Sequence, residues 1–157
     1  MATVRISAKV DYALRAVAEL AASPGTEPRK ADDIARAQGI PLKFLLNILN
    51  ELRRAAIVQS QRGAEGGYRL ARPPEEIPIA DVIRALEGPL ANVHESRPED
   101  LTYAGPAAAL REVWIAVRAS LRDVLERVSV ADLASGDLPD RIRELTAEPD
   151  AWHARHP

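Results

Sequence analysis

The chain has no cysteine among its 157 residues. That absence removes a disulfide framework, a thiol nucleophile and any thiolate-held metal or iron–sulfur site. Long apolar runs are missing too. No stretch approaches the roughly eighteen residues a membrane span requires, and MATVRISAKVDYALRAV at the N-terminus lacks a basic head followed by a continuous apolar core. The expectation is a folded cytoplasmic protein with no membrane contact and no signal peptide. The pairings of an enzyme are absent as well: no nucleophile beside a base, no phosphate-cradling glycine loop opening a helix, no His/carboxylate spacing of a metal site. Neither catalysis nor a cofactor is expected.

Hydrophobic residues make up 46% of the chain, enough for one domain or a compact domain with an appended element. The net charge of -2 says nothing about nucleic acid until it is divided along the chain. Residues 1–72 hold 12 Lys and Arg against 7 Asp and Glu, net +5, while residues 73–157 hold 9 against 16, net -7. A basic head on an acidic body suits a protein that touches a duplex with one half only, because phosphate neutralisation needs Lys and Arg only at the contact.

The most patterned stretch runs from Ile40 to Leu70. Pro41 suits the first turn of a helix, where its missing N–H would have no partner, and Leu42, Leu45, Ile48, Leu49 and Leu52 follow at spacings of three and four. Lys43, Asn47, Asn50, Glu51, Arg53 and Arg54 fill much of the rest. Lys43 and Asn47, four apart, share an early face able to reach base edges, with Phe44 and Leu46 beside them. Ile57, Val58 and Ser60 then read as a short strand, Arg62-Gly63-Ala64-Glu65-Gly66-Gly67 as a turn, and Tyr68-Arg69-Leu70 as the returning strand. Glycine lets such a loop approach another molecule closely, and Arg62, where the chain leaves the first strand, suits a narrow minor groove. A surface hairpin of any protein can carry Gly and Arg; the amphipathic helix before this one makes it the wing of a DNA-holding winged helix.

Elsewhere, Ser7 can cap a helix carrying Val10, Leu14, Val17 and Ala21 and ending before Pro24-Gly25. Residues 31–38 form a second helix with Ile34 and Ala35, which Gly39 ends, completing a helix-turn-helix. Pro73-Pro74 closes the wing, and Ile79, Val82, Ile83 and Leu86 stripe a further helix stopped by Gly88-Pro89. Residues 89–105 read as a loop. Leu110, Trp114, Val117, Leu121, Val124 and Val128 then alternate spacings of four and three, a heptad seam on a helix from about Pro106 to Ser129. At 1.5 Å per residue that helix is roughly 35 Å long. Such a stripe packs on the chain's own core or on a symmetric copy, and pairing is favoured because the winged head is too small to cover it. Asp137 and Pro139 start a last short helix through Ala147, and the tail to Pro157 frays. The expected fold is mainly α with a small β-hairpin: a winged helix-turn-helix domain over 1–88, a loop over 89–105, dimerisation and C-terminal helices over 106–147, and a tail over 148–157.

The order of elements and several motifs resemble the winged-helix transcriptional regulators often called Rrf-two, which include IscR, NsrR and CymR. The matching signatures are Tyr12-Ala13-Leu14-Arg15-Ala16, Ile34-Ala35 before Gly39-Ile40, Phe44-Leu45, Ser60-x-Arg62-Gly63-x-x-Gly66-Gly67-Tyr68-x-Leu70, Ile83-x-Ala85-x-Glu87-Gly88, Trp114 and Val130-Ala131-Asp132-Leu133. The resemblance implies a homodimeric, sequence-specific DNA-binding regulator, usually a repressor, whose reading helix enters the major groove while the wing arginine enters the minor groove. Departures from the family are equally specific. Cluster-binding members place three cysteines in the loop corresponding to residues 90–105, and this chain has none. His94, Glu95, Glu99, Asp100 and His153 remain as conceivable oxygen or nitrogen ligands, and Asp11 stands where some relatives supply a carboxylate. Without soft ligands iron–sulfur binding has no physical basis, and His94 reads as a solvated loop histidine. Relatives often present a small hydroxyl residue at the start of the reading helix and an acid two positions after its aromatic residue. Here Pro41 and Leu46 stand in those places, so an acceptor for cytosine is lost.

The candidate DNA-binding set is therefore Lys43 and Asn47 for the major groove, Arg62 with Gly63, Gly66 and Gly67 in the wing, and Arg53, Arg54 or Arg69 nearer the phosphates. Pro41 and Phe44 complete that surface, although Phe44 and Tyr68 are expected to pack the head rather than stack on bases. Partners follow: double-stranded DNA, a second copy of the chain, and a small-molecule effector or protein partner that supplies the signal. The alternative reading is a protein-interaction regulator whose main task is to bind a metabolic enzyme through its acidic half.

Overall fold

A computed structural model describes residues 5–23 and 27–157. Seven α-helices and a two-stranded antiparallel hairpin are found among them. The architecture is mainly α with a winged helix-turn-helix head, as the sequence patterns require.

Helix α1 (Ala8–Ala22) starts at Ser7, whose Oγ accepts the Val10 N–H at 3.2 Å and so satisfies one of the free donors of the first turn. It buries Val10, Ala13, Ala16, Val17 and Leu20; Leu14 and Ala21 lie at the margin of that face. Pro24 and Gly25, the expected stop, lie outside the described residues. Helix α2 (Ala31–Gln38) is capped by Gly39, and α3 (Leu42–Arg54) follows after the three-residue turn Gly39-Ile40-Pro41. Pro41 stands at the cap, just outside α3, rather than in its first turn. Leu45, Ile48, Leu49 and Leu52 pack into the core, but Leu42 does not: it is exposed, because it lies at the edge of the buried arc.

Strands β1 (Val58–Gln61) and β2 (Gly67–Leu70) form the wing, with Val58 opposite Leu70 and Gln61 opposite Gly67. Helix α4 (Ile79–Glu87) closes the head, burying Ala80 and Val82. The core is one cluster built from α1 to α4, Ile57, Val58 and Ile77, and it also contains Val130.

That last residue follows a helix whose extent differs from the expected one. The helix after the loop is α5 (Leu110–Leu125), about 24 Å long, preceded by a 3-10 turn at Gly105–Ala107 and ending well before Ser129. Val128 is 4% exposed and packed in the head rather than on the heptad seam; its carbonyl accepts the Ile79 N–H at 2.8 Å. A separate helix, α6 (Val130–Ser135), then packs against α1. Its capping box is formed by Ser129 and Asp132: each side chain accepts the other's backbone N–H, at 3.0 and 2.9 Å. Val130-Ala131-Asp132-Leu133 thus lies on a helix of its own, and residues 128–135 pack with the head in addition to those before Gly88. Helix α7 (Asp140–Ala147) is tied to α5 where Asp123 accepts from Arg141 and Arg127, both at 2.7 Å. The tail forms a 3-10 turn at Pro149–Trp152, and the Trp152 indole donates to the Thr146 carbonyl at 2.6 Å.

Candidate nucleic-acid interface

The buried side of α3 determines what it offers outward. With Leu45, Ile48, Leu49 and Leu52 in the core, the opposite side carries Lys43, Asn47, Asn50 and Arg54 at successive spacings of four, three and four. Lys43, Asn47 and Arg54 are exposed and have no intramolecular partner among the described residues. Asn50 is half-buried and accepts from Arg53 at 2.8 Å, so Arg53 is held along the helix flank rather than projecting freely. Asn50 was not in the candidate set, although its spacing from Lys43 and Asn47 was legible. Phe44 corrects an expectation. It is 60% exposed, on one flank of the polar stripe, and does not pack the head; Leu46, 43% exposed, lies on the other flank. Tyr68 does pack against the core.

The wing is braced by its own backbone. At Gly66 an added Cβ would run into the Gln61 carbonyl oxygen, and at Gly67, with φ near +150°, into the Arg29 carbonyl oxygen. Side chains are excluded at both positions by this close approach. Arg29 and Tyr68 exchange backbone hydrogen bonds of 2.8 and 2.7 Å, so the segment before α2 adds one antiparallel bridge to the outer edge of β2. Nothing in the periodicity around Arg29 signals this pairing. Arg62 is exposed at the end of β1 and, among the described residues, has no partner; Gly63 beside it is exposed as well. Arg69, on β2, donates to Gln59 at 3.3 Å across the hairpin.

One buried-edge network aligns the wing with the helix-turn-helix. Glu19 on α1 accepts from Gln38 at the end of α2 and from Arg29 beside the wing, both at 2.5 Å. The Gln38 amide first, and the Arg29 guanidinium second, hold the Glu19 carboxyl below the usual carboxylate range. Arg15 donates to the Gln38 carbonyl at 2.6 Å, pairs with Asp11 at 2.9 Å and stacks on Tyr12 at 4.9 Å. Asp11, Arg15, Glu19 and Gln38 therefore serve to fix the angle between helices. Sequence reading passed over Glu19 and Gln38 because a carboxylate and an amide on separate helices give no local signal.

This geometry has a match among known proteins. A family model described as "Rrf2: Iron-dependent Transcriptional regulator" covers residues 6–136.

The chain belongs to the Rrf2 family of transcriptional regulators.

Within Rrf2, a Mycobacterium tuberculosis protein whose name gives it as an HTH-type transcriptional regulator is 51% identical over 142 residues, covering 90% of this chain and 88% of the relative. CymR of Bacillus subtilis is 36% identical over 132 residues, 84% of this chain and 91% of CymR. Among solved structures, that of CymR, the global cysteine regulator of B. subtilis, superposes with a TM-score of 0.73 at 35% identity, covering 85% of this chain and 98% of that one. IscR of T. potens gives 0.69 at 31% identity, covering 98% and 94%. The iron dependence in the Rrf2 description meets a poor donor set here. The chain has no cysteine, and among the described residues no group of three or more His, Asp and Glu could hold a metal ion. Glu99, one of the conceivable ligands, is committed to Arg118 at 2.5 Å, while His94, Glu95 and His153 are exposed. These residues do not fit an iron–sulfur cluster. Among the described residues no helix is long and apolar enough to cross a membrane.

Proposed function

We propose that this Rrf2 regulator is a cytoplasmic homodimeric repressor that reads a palindromic operator. The observation that carries the reading is the partner-free polar stripe Lys43, Asn47 and Arg54 on α3, beside a wing whose Arg62 is also free. Polar side chains without internal partners on a basic half of the chain are what base edges and phosphates require. Lys43 and Asn47 face the major groove, Asn47 suited to adenine and Lys43 to guanine, while the exposed rings and methyls of Phe44 and Leu46 meet thymine 5-methyl groups. Arg62 enters the minor groove, and Pro41, Gly63, Gly66 and Gly67 let the backbone come close to the duplex. Arg53, Arg54 and Arg69 lie nearer the phosphates.

The dimer is formed through α5. Val113 and Val117 are 50% and 40% exposed on a helix that buries none of its residues completely, and Leu110, Trp114, Leu121 and Val124 flank them half-buried. Two copies crossing there set their reading helices about 34 Å apart, one turn of duplex. The signal arrives as a small molecule or a protein partner rather than a cluster. A genome-wide binding map followed by fluorescence anisotropy on the recovered sites tests the reading: a shared palindrome, bound far more tightly than scrambled DNA, is expected. Binding indifferent to sequence would overturn it.

A further inference from the structure

A cavity of about 380 Å³ opens between the end of α4, the loop that follows it and the flank of α5. Four arginines line it, Arg84, Arg97, Arg118 and Arg122, against a single carboxylate, Glu99. The two sides of the cavity come from different parts of the fold: Arg84 belongs to the winged head, Arg118 and Arg122 to the helix assigned above to the dimer seam. Arg118 is the best covered, its side chain 16% exposed, and it pairs with Glu99 at 2.5 Å. Arg84 is engaged by Asp81 at 3.5 Å and by Glu126. The side chains of Arg97 and Arg122 form no hydrogen bond or ion pair among the described residues, although Arg97 lies within Coulombic reach of Glu99. Buried Leu90 adds an apolar patch to the wall.

Gathering four like charges around one concavity is unfavourable by Coulomb repulsion, and more so where protein replaces part of the solvent. Glu99 answers Arg118, and Asp81 and Glu126 answer Arg84, which leaves the charges of Arg97 and Arg122 without an ion pair. Guanidinium groups present paired donors in a plane, the complement of carboxylate and phosphate oxygens, and the volume lies in the range of small-ligand sites.

The geometry points to a binding site for a small polyanionic metabolite, one bearing several carboxylate or phosphate groups, held between the winged head and α5. An anion bridging Arg84 to Arg118 and Arg122 fixes the tilt of the head on the dimer helix, which changes the spacing of the two reading helices. Only this last step rests on the regulator reading; binding itself does not.

Isothermal titration calorimetry on the full chain, without DNA and at constant ionic strength, tests it with two probes, inorganic pyrophosphate and citrate. Saturable binding of at least one is expected, and the identity of the binder separates phosphate from carboxylate ligands. Arg97→Gln/Arg122→Gln should weaken binding by about tenfold or more. Neither side chain makes a hydrogen bond or ion pair among the described residues, so the fold should survive, as circular dichroism would verify. Arg143→Gln/Arg155→Gln, which removes two charges away from the cavity, should bind as the parent does. Heat that never saturates with either probe, or a double variant that binds as tightly as the parent, overturns the proposal and leaves the operator assay unaffected. If the variant instead loses operator affinity in the absence of any anion, the arginines serve the DNA backbone and the proposal fails.

Discussion

Glu19 holds the helix-turn-helix and the wing with one carboxylate. Its pKa is depressed by Gln38 and Arg29 in the folded chain, so its stabilising contribution is complete above the ordinary glutamate range and is lost as pH falls through the lowered value. Glu19→Gln should therefore show a flatter acid limb than the parent when urea stability is followed against pH; identical acid limbs would show that the network carries no stability. The free side chains of α3 and the wing divide differently. Asn47→Ala should cost about 1–3 kcal/mol on the true site and little on scrambled DNA, because a base contact is lost. Arg62→Ala should weaken binding on both and lower the slope of log affinity against log salt by about 1. Equal losses for the two variants on both DNAs, measured by anisotropy, would dissolve the distinction between reading and anchoring.

At the level of elements, helices α1 to α4 were legible because each announces itself locally: Ser7 as a cap, Gly39 as a stop, and apolar residues at helical spacing. The end of α5 was not. Val128 falls four residues after Val124 and so continues the heptad, yet no Gly or Pro marks the break at residues 126–128, and only tertiary packing turns Val128 into the head. The capping box Ser129-x-x-Asp132 was the available signal, hidden inside an unbroken apolar rhythm. Phe44 was misplaced for the opposite reason: an aromatic residue in a small domain is expected inside, and here the buried arc is already filled by four aliphatic residues. The cavity arginines were invisible as a group: Arg118 and Arg122 are one turn apart on α5, but Arg84 and Arg97 come from α4 and the loop, and no local pattern joins the three segments. Ser129→Ala tests the α6 cap. It should lower stability by about 1 kcal/mol in urea denaturation, as the loss of a serine cap typically does.

For the molecule as a whole, the proposed seam has fewer residues to draw on than the heptad suggested, since Val128 lies in the core. Leu121→Glu or Val117→Glu should give monomers by light scattering, and of the two Val117→Glu is the cleaner test, since Val117 is 40% exposed in the single chain while Leu121 is half-buried. A dimer that survives both would place the pairing surface elsewhere. The chain leaves the head after Gly88, travels through the loop and α5, and comes back to lay α6 against α1. Synthesis runs in the same direction. A nascent chain halted anywhere before Val128 lacks residues that are 4% and 0% exposed in the finished core, Val128 and Val130, so it leaves a hole beside α1. The winged head is sealed only after α5 has been made, and a product truncated before Val128 has no intact head.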